Sequence, residues 1–352
     1  MRRKETNMSD HKRTTRRKAE HIDIVLHREV TGKGITNGLE QYRFRHLALP
    51  ELNWTEISLS STFLGKTVKA PFLISSMTGG TQEAKEINKH LSAAAQERGW
   101  AMGLGSVRAA LEHPEILDTF RVRPYAPDIP LLANLGAVQL NYGYGPEECK
   151  KAVELTEADG LVLHLNSMQE VFQPEGNTNF SGLLAKIEQV CRQLDVPVGV
   201  KEVGFGIDGR LTRRLFEAGV QFVDVAGAGG TSWIQVEKNR SSDLLRVAAA
   251  EAFADWGLPT AECIREARRQ APDSCLIASG GIHTGVEAAK VLALGANLAG
   301  FGRSLLRSAA SADAEAVSCQ LEQIEIECKI AMFGIGAADV TALKETDRLE
   351  RR

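Results

Sequence analysis

Short apolar segments alternate with longer helical segments along most of the chain, beginning at about residue 72. Each short segment comes first in its pair, which is the pattern of βα units around a parallel sheet. Eight of the short segments predict strands, at residues 72–77, 101–106, 131–135, 160–165, 196–203, 222–226, 275–279 and 298–302. Eight consecutive units favour a closed (β/α)8 TIM barrel. An open doubly wound sheet, which usually has fewer strands, is the alternative.

The segments between these strands have the periodicity of helices that pack on a core. The last segment places apolar residues at alternating steps of four and three, namely Val317, Leu321, Ile324, Cys328 and Ala331. This spacing predicts one buried helix face. The predicted fold class is therefore α/β, a TIM barrel with an N-terminal extension.

The chain is predicted to form one domain over residues 1–352, in which residues 72–340 are the barrel. Residues 1–15 are predicted to be a disordered basic tail, and residues 16–71 an N-terminal region that clamps substrate. The connection over residues 227–258 is also longer than a minimal barrel needs. Because long connections in compact domains are commonly lids or binding loops, we expect both additions to reach the catalytic face.

The composition of the 352 residues is that of an ordinary globular protein, with 43% hydrophobic and 25% charged residues. The formal net charge is −3, so the basic excess that usually marks a nucleic-acid-binding protein is missing. No apolar stretch has the length needed to cross a bilayer. We therefore expect a small-molecule ligand, with no nucleic-acid or membrane partner.

Six cysteines are scattered without a C-x-x-C pair, at Cys149, Cys191, Cys263, Cys275, Cys319 and Cys328. Most lie in apolar stretches, which predicts buried thiols in a reducing cytosol and not disulfides or zinc ligands. The basic run between Arg2 and Lys18 is interrupted by acidic residues, and no apolar segment of a secretory signal follows it. The expected location is cytoplasmic.

Polar residues and glycines follow the predicted strands, at the end where β/α barrels carry their working residues. The first three strands end on Met77, Thr78, Gly79, Ser106, Arg108 and Asn134. After the last two strands, Gly280, Gly281, Gly302 and Arg303 offer backbone N–H groups to a phosphate, and Thr231 follows the sixth. Glycines that merely end strands are the alternative, but two such pairs at adjacent ends favour phosphate binding.

Lys201 lies within the apolar fifth strand, where a buried ammonium is costly unless it meets an anion. A flavin fits this position, since a cation near its N1/C2 carbonyl edge stabilises the anionic reduced form. A lysine paired with a neighbouring carboxylate is the alternative.

The segment after the fourth strand concentrates a base, amides and a carboxylate, at His164, Asn166, Gln169 and Glu170. One carboxylate beside phosphates is a natural Mg²⁺ ligand, and Glu170 is the candidate. Near the N-terminus, Arg17, Lys18 and His21 form a possible anion clamp, and a solvated basic tail is the alternative.

Together these motifs resemble the type 2 isopentenyl-diphosphate isomerase family, over residues 16–340. The resemblance is carried by Arg-Lys-x-x-His-Ile at 17–22, Met-Thr-Gly-Gly at 77–80, Gly-Ser-x-Arg at 105–108, Ala-Asn-Leu-Gly at 133–136, His-Leu-Asn-x-x-Gln-Glu at 164–170, Val-Lys-Glu-Val-Gly-Phe-Gly at 200–206 and Ser-Gly-Gly at 279–281. Single motifs of this kind are common among flavin barrels, whereas the ordered set is specific.

The resemblance implies interconversion of isopentenyl and dimethylallyl diphosphate by a 1,3-proton shift, with reduced FMN as acid/base, NAD(P)H as reductant, and Mg²⁺. FMN would contact Met77, Thr78, Gly79, Ser106, Asn134, Lys201, Thr231, Gly280, Gly281, Gly302 and Arg303. Substrate would contact Arg17, Lys18, His21, Ser106, Arg108 and Gln169, with Glu170 on the metal. Gln169, His164 and Asn166 are the candidate catalytic residues. The resemblance also implies a homo-oligomer, a tetramer or an octamer.

Two other functions compete with this one. An FMN-dependent 2-hydroxy acid oxidase or dehydrogenase would share the barrel and the phosphate site, but it needs a base near an arginine, and residues 226–231 contain no His. A non-catalytic flavin- or nucleotide-binding barrel would share the fold alone. The acid/base candidates around Gln169 argue against the second alternative.

Overall fold

A computed structural model of the chain describes residues 2–311 and 313–352, with side chains from Thr15 onward except at 312. Within this part the strands are β1 (Tyr42–Phe44), β2 (Ser61–Phe63), β3 (Lys66–Val68), β4 (Phe72–Ile74), β5 (Ala101–Gly103), β6 (Leu131–Gly136), β7 (Gly160–His164), β8 (Val198–Lys201), β9 (Phe222–Asp224), β10 (Cys275–Ala278), β11 (Leu298–Phe301) and β12 (Leu349–Arg351). Strands β4 to β11 lie at the eight predicted positions.

These eight strands pair in parallel and close into a barrel, in the order β10-β11-β4-β5-β6-β7-β8-β9. The predicted (β/α)8 TIM barrel is therefore confirmed. Because the order is circular, β7 lies across the barrel from β11, and β6 lies across from β10. All eight carboxyl ends meet at one mouth.

The helices in the described part are α1 (Arg2–His27), α2 (Gln82–Arg98), α3 (Arg108–Glu112), α4 (Pro146–Thr156), α5 (Ser167–Phe172), α6 (Leu183–Gln193), α7 (Gly209–Glu217), α8 (Trp233–Arg240), α9 (Leu244–Ala252), α10 (Thr260–Gln270), α11 (Gly285–Ala293), α12 (Arg303–Ser311), α13 (Ala314–Ile335) and α14 (Val340–Lys344). Short 3-10 helices cover Leu39–Gln41, Trp54–Glu56, Pro114–Phe120, Arg123–Tyr125 and Ala137–Asn141.

Helix α2 shows how the sequence sets these helices. The Thr81 side chain accepts a hydrogen bond from the Ala84 N–H at 3.0 Å and so caps the start of the helix. Gly99 ends it with a φ of +66°, which a glycine adopts without strain. Between these caps, one face is buried against the barrel, through Ala84, Ile87, Leu91, Ala94 and Ala95.

The N-terminal end of the barrel is closed by the antiparallel hairpin β2–β3. Its Phe63 and Val68 side chains are buried in one cluster with the first residues of several barrel strands. The Phe63 ring lies 5.4 Å from the Phe222 ring in an edge contact. Because this end is filled by side chains, only the opposite mouth is left for a ligand.

Helix α1 and the segment that follows it cover that opposite mouth. Thr31 forms an antiparallel bridge with Thr231, and the Asn37 amide donates to the Gly281 carbonyl at 2.6 Å. Strand β1 pairs with β12 and so joins the N-terminal region to the end of the chain. Helix α1 includes residues 2–15, which were predicted to be a disordered tail, although side chains before Thr15 lie outside the described part.

The connection over residues 227–258 folds into α8 and α9, and α8 packs against α1 and α5. Both predicted additions thus reach the barrel mouth. All six cysteines are free thiols, but Cys319 is exposed on the outer face of α13, so the prediction of burial was wrong there. Within the described residues, none of the helices combines the length and the apolarity that spanning a bilayer requires.

Candidate functional site

A cavity of about 300 Å³ opens at the carboxyl ends of the barrel strands, beneath α1. Every site residue predicted from the sequence lines it. The lining includes Arg17, Lys18, His21, Met77, Thr78, Gly79, Ser106, Arg108, Asn134, His164, Asn166, Gln169, Glu170, Lys201, Thr231, Gly280, Gly281, Gly302 and Arg303. The structure therefore brings together residues from both ends of the sequence, and their individual roles remain predictions.

Four buried side-chain atoms in the described residues have no hydrogen-bond partner: Ser75 Oγ, Gln139 Oε1, Asn166 Oδ1 and Ser304 Oγ. All four residues line this one cavity. An unsatisfied buried polar atom costs about 1–3 kcal/mol, so such atoms are rarely left without a partner. Their concentration here is what a site for a polar ligand requires.

The glycines after β10 and β11 bring backbone close to the cavity. Gly280 and Gly281 have φ values of +104° and +72°, and a Cβ on Gly280 would lie 2.0 Å from the Gly227 carbonyl oxygen. A Cβ on Gly302 would meet no atom within 4 Å, because it would point into open space. Bare backbone beside the start of α12 is suited to an anion such as a phosphate.

The Arg303 side chain is held by α1, whereas the phosphate contact predicted for its backbone N–H stays a prediction. Its Nε and Nη2 donate to the carbonyl oxygens of Val25 and Arg28, at 3.0 and 2.8 Å, near the C-terminal end of α1. These contacts hold the end of α1 against the start of α12. The guanidinium thus fixes the helix that covers the mouth, while the residue as a whole still lines the cavity.

Lys201 ends β8 and lies buried at the floor of the cavity. Its Nζ donates to the Glu202 carbonyl oxygen at 2.6 Å, and Asp224 is its neighbour in the register of β8 and β9. Burial lowers the pKa of Lys201, against the opposing charge of Asp224. Asp224 itself accepts a hydrogen bond from Ser279 Oγ at 2.7 Å. Lys201 therefore has a buried carboxylate on the neighbouring strand without a direct ion pair, and its contact with a flavin stays a prediction.

His164 ends β7, and its Nδ1 lies 2.7 Å from Asn134 Oδ1. Because the amide oxygen accepts, Nδ1 carries the proton and Nε2 is left as an acceptor. Burial, with a further effect of the Lys201 charge, lowers the pKa of His164 to about 3. His164 is therefore neutral at physiological pH and can accept a hydrogen bond at Nε2.

Glu170 is buried on α5 and held at both carboxylate oxygens. Oε1 accepts from Asn166 Nδ2 at 2.8 Å, and Oε2 accepts from the Asn177 N–H at 2.5 Å. The described residues contain no group of three His, Cys, Asp or Glu side chains that could hold a metal. A cation at Glu170 would therefore need oxygens from a ligand, as Mg²⁺ on a diphosphate does.

Lys18, Arg17 and Arg108 form the cationic part of the lining. Lys18 Nζ donates to the Ser106 carbonyl oxygen at 3.2 Å and lies 4.8 Å from the centre of the Phe120 ring. Burial, together with the charge of Arg17, lowers the pKa of the Lys18 amine to about 7. An anion bound beside these three side chains would stabilise their charged forms.

His21 belongs to the predicted clamp but is not a free cation. Its Nε2 lies 2.9 Å from Glu237 Oε1, and its ring meets Trp233 edge-on at 5.1 Å. Burial lowers the pKa of His21, so the ring is neutral and donates to the Glu237 carboxylate. Gln169 Nε2 donates to the same oxygen at 3.3 Å.

The sequence motifs did not indicate that Glu237 and Arg240 on α8, or Asn177, would contact residues of the site. Glu237 is fully buried, and burial alone would raise its pKa, but the His21 hydrogen bond and the Arg240 charge prevail and lower it. The Asn177 side-chain oxygen accepts from both Arg108 and Gln139 at 3.2 Å. The three lie in irregular or inserted segments, where spacing alone does not indicate which side chains turn inward.

A model of the FMN-dependent dehydrogenase family matches residues 11–115 and 146–350. The chain belongs to this family, which agrees with the flavin predicted from Lys201 and the strand-end glycines.

The similarity extends to a narrower group. Relatives named isopentenyl-diphosphate delta-isomerase are 54% identical in Oceanobacillus iheyensis, over 95% of both chains, and 50% identical in a Nostoc species, over 97% of this chain and 98% of the relative. A Synechocystis relative of the same name is 48% identical over 96% of this chain and 97% of its own. The chain is a member of the isopentenyl-diphosphate delta-isomerase family, and the resemblance stated from the motifs is confirmed.

Solved structures share the fold at much lower identity. A lactate oxidase from Pediococcus acidilactici superposes with a TM-score of 0.66 at 14% identity, covering 98% of this chain and 94% of its own. A mandelate oxidase gives a TM-score of 0.63 at 18% identity, covering 98% of each chain. At these identities the likeness concerns the barrel alone.

Two glycine variants separate the fold from ligand binding. We expect Gly302→Ala to fold normally and to weaken FMN binding by roughly tenfold, because its methyl group points into the cavity. Gly280→Ala should instead lower the free energy of unfolding by about 1–3 kcal/mol, because of its positive φ and its contact with Gly227. Flavin fluorescence titration and urea unfolding measure the two effects. Equal FMN affinity in Gly302→Ala and wild type would contradict a phosphate site there.

Proposed function

We propose that the protein interconverts isopentenyl and dimethylallyl diphosphate, using reduced FMN and Mg²⁺. The observation that carries the proposal is that the strand-end glycines and a group of cations with Glu170, two sets of residues suited to anions, line different parts of one cavity. The glycines follow β10 and β11, whereas Glu170 follows β7, directly across the barrel, and Lys18 contacts the end of β5. The relatives that are about half identical to the chain carry the name of this activity.

FMN would be held by backbone at Gly280, Gly281 and Gly302, with Lys201 beside its ring. The family match and the four unpartnered polar atoms in the cavity support this assignment. Reduced flavin supplies a proton donor and acceptor at N5, with an electron-rich face that favours a nearby positive charge. Met77, Thr78, Gly79, Ser106, Asn134 and Thr231 would complete the contacts, with Arg303 acting through α1 as described above.

The substrate diphosphate would lie between Arg17, Lys18 and Arg108, with Mg²⁺ between it and Glu170. One carboxylate plus phosphate oxygens and water is a usual Mg²⁺ environment, and Glu170 is already oriented by Asn166 and Asn177. Binding an anion here would offset the cost of bringing three partly buried cations together.

The hydrocarbon end of the substrate needs a proton donor and acceptor but no strong nucleophile, because its transition state resembles a tertiary carbocation. His164 is neutral with an acceptor at Nε2, and the Gln169 amide is fixed between Asn166 and Glu237. Trp233, which packs on His21, and α1 itself would limit the access of water from this side. Gln169, His164 and Asn166 would therefore orient the reacting carbons and the proton that moves.

The competing functions have less support. For a 2-hydroxy acid oxidase, the segment after β9 lacks a His, and the three cations Arg17, Lys18 and Arg108 with Glu170 exceed what a monocarboxylate needs. A non-catalytic barrel would not require the hydrogen bonds that order the Gln169 and Glu170 side chains. NAD(P)H as reductant, a cytoplasmic location and a tetramer or octamer remain predictions from the resemblance.

An anaerobic assay tests the proposed function. Purified protein given FMN, NADPH or NADH and Mg²⁺ should bring isopentenyl and dimethylallyl diphosphate to equilibrium, followed by NMR or by product separation. No net consumption of NAD(P)H should accompany turnover once the flavin is reduced. Oxidation of lactate or glycolate, with no isomerisation, would overturn the proposal.

Glu170→Gln tests the metal role. The variant should raise the KM for isopentenyl diphosphate roughly ten- to a hundredfold and raise the Mg²⁺ requirement, because a neutral amide is a weaker cation ligand. FMN affinity should stay the same, since Glu170 lies across the barrel from the glycines. Glu112→Gln, on the outer side of Arg108, is a matched control that should keep the Mg²⁺ dependence of wild type. Loss of FMN from Glu170→Gln with unchanged Mg²⁺ dependence would refute the metal role.

The lowered pKa of Lys18 gives a pH dependence with a defined sign. Below pH 7 the amine is already charged, so an anion binds without taking up a proton. Above pH 7 binding must protonate it, and affinity for inorganic pyrophosphate should fall by up to about tenfold per pH unit. Lys18→Met should bind more weakly and lose this part of the slope. Competition assays from pH 6 to 9 measure both, and identical slopes in the two proteins would exclude Lys18 as the anion contact.

A further inference from the structure

Arg240 lies at the end of α8, outside the set of residues that the site was predicted to contain. Its side chain is only 10% exposed, and each of its nitrogens contacts a different carboxylate. Nε donates to Glu20 at 3.1 Å, Nη2 to Glu175 at 2.9 Å and Nη1 to Glu237 at 2.5 Å. One guanidinium thus joins α1, the segment after α5, and α8.

The three carboxylates lead back to the cavity by separate routes. Glu237 accepts hydrogen bonds from His21 and Gln169. Glu175 lies 3.9 Å from Arg17 as well as 2.9 Å from Arg240, through the same oxygen. Arg17, Glu20 and His21 of α1 therefore all attach to Arg240, either directly or through one carboxylate.

Charge makes Arg240 hard to replace in this cluster. Glu237 contacts His21 as well as Arg240, and of these two residues only Arg240 also contacts Glu20 and Glu175. Arg17 lines the cavity and lies near one of the three carboxylates, Glu175. Arg240 is the positive charge that Glu20, Glu175 and Glu237 share. A lysine would supply the charge but not three donors in one planar fork.

We propose that Arg240 is a positioning residue that holds α1 over the barrel mouth and orients Glu237 toward Gln169. It touches neither anion-binding region and acts through the three carboxylates. The expected change in KM rests on the proposed function. The docking of α1 does not, because it is a property of the protein without substrate.

FMN-loaded Arg240→Gln tests the proposal by two measurements. Trypsin cleavage after Arg17 and Lys18, without substrate, should accelerate by roughly tenfold or more, because breaking a buried ion pair leaves carboxylates unpaired and releases α1. The KM for isopentenyl diphosphate should rise by roughly tenfold, with a smaller fall in kcat, while FMN affinity changes less than about twofold. Arg240→Lys should give smaller changes in the same directions.

Matched variants keep the result interpretable. Lys238→Gln, on the same helix, removes a surface ion pair with Glu251 and should match wild type in both measurements. Glu20→Gln weakens the direct link of Arg240 to α1, together with the exposed Arg16–Glu20 pair, and should accelerate cleavage less than Arg240→Gln does, even if Arg240→Gln folds poorly. Unchanged cleavage and KM in folded Arg240→Gln, or unchanged cleavage in Glu20→Gln, would overturn the proposal. If wild type shows no isomerisation, the proposed function fails, while the cleavage rates still decide the role of Arg240.

Discussion

The architecture of the site depends on two lysine amines that are held by backbone carbonyls and not by direct ion pairs. Lys18 and Lys201 donate to the backbone carbonyls of Ser106 and Glu202, and in the described residues neither has a carboxylate oxygen within 4 Å. Burial lowers the pKa of both amines, and an anionic ligand beside them would favour their charged forms. The two lysines lie on separate elements, α1 and β8, so their amines reach the cavity from different parts of the chain.

The barrel alone supplies only part of this environment. Its strands place Lys201, His164 and the glycines, but Arg17, Lys18 and His21 come from a helix that precedes the barrel and must be held across its mouth. Arg303 fixes the C-terminal end of α1 through two carbonyls. Arg240 fixes the middle of α1 through Glu20. Both arginines are therefore as important to the site as the residues that face the ligand.

The sequence predicted the barrel well because the spacing of apolar residues, and the glycines and polar residues that end each strand, are local properties of the chain. Each strand lay within its predicted range or extended one residue past it, and strand ends carried residues such as Asn134 and Gly281 that line the cavity. What it could not predict was which distant side chains would meet. The position of Arg303 after β11 predicted a phosphate contact for its backbone N–H, but it did not indicate that the guanidinium would bind the end of α1. Glu237 looked like an ordinary helical glutamate, because only the packing of α8 on α1 and α5 buries it.

The central claim is that one cavity holds two anions in separate places, one on the backbone after β10 and β11 and the other among Arg17, Lys18 and Arg108. A crystal structure of the protein with FMN, Mg²⁺ and inorganic pyrophosphate tests it most directly. The account predicts the FMN phosphate beside Gly281 and Gly302, with pyrophosphate against Lys18 and a metal at Glu170. Pyrophosphate that binds only by displacing the FMN phosphate, with Arg17 and Lys18 uninvolved, would contradict it.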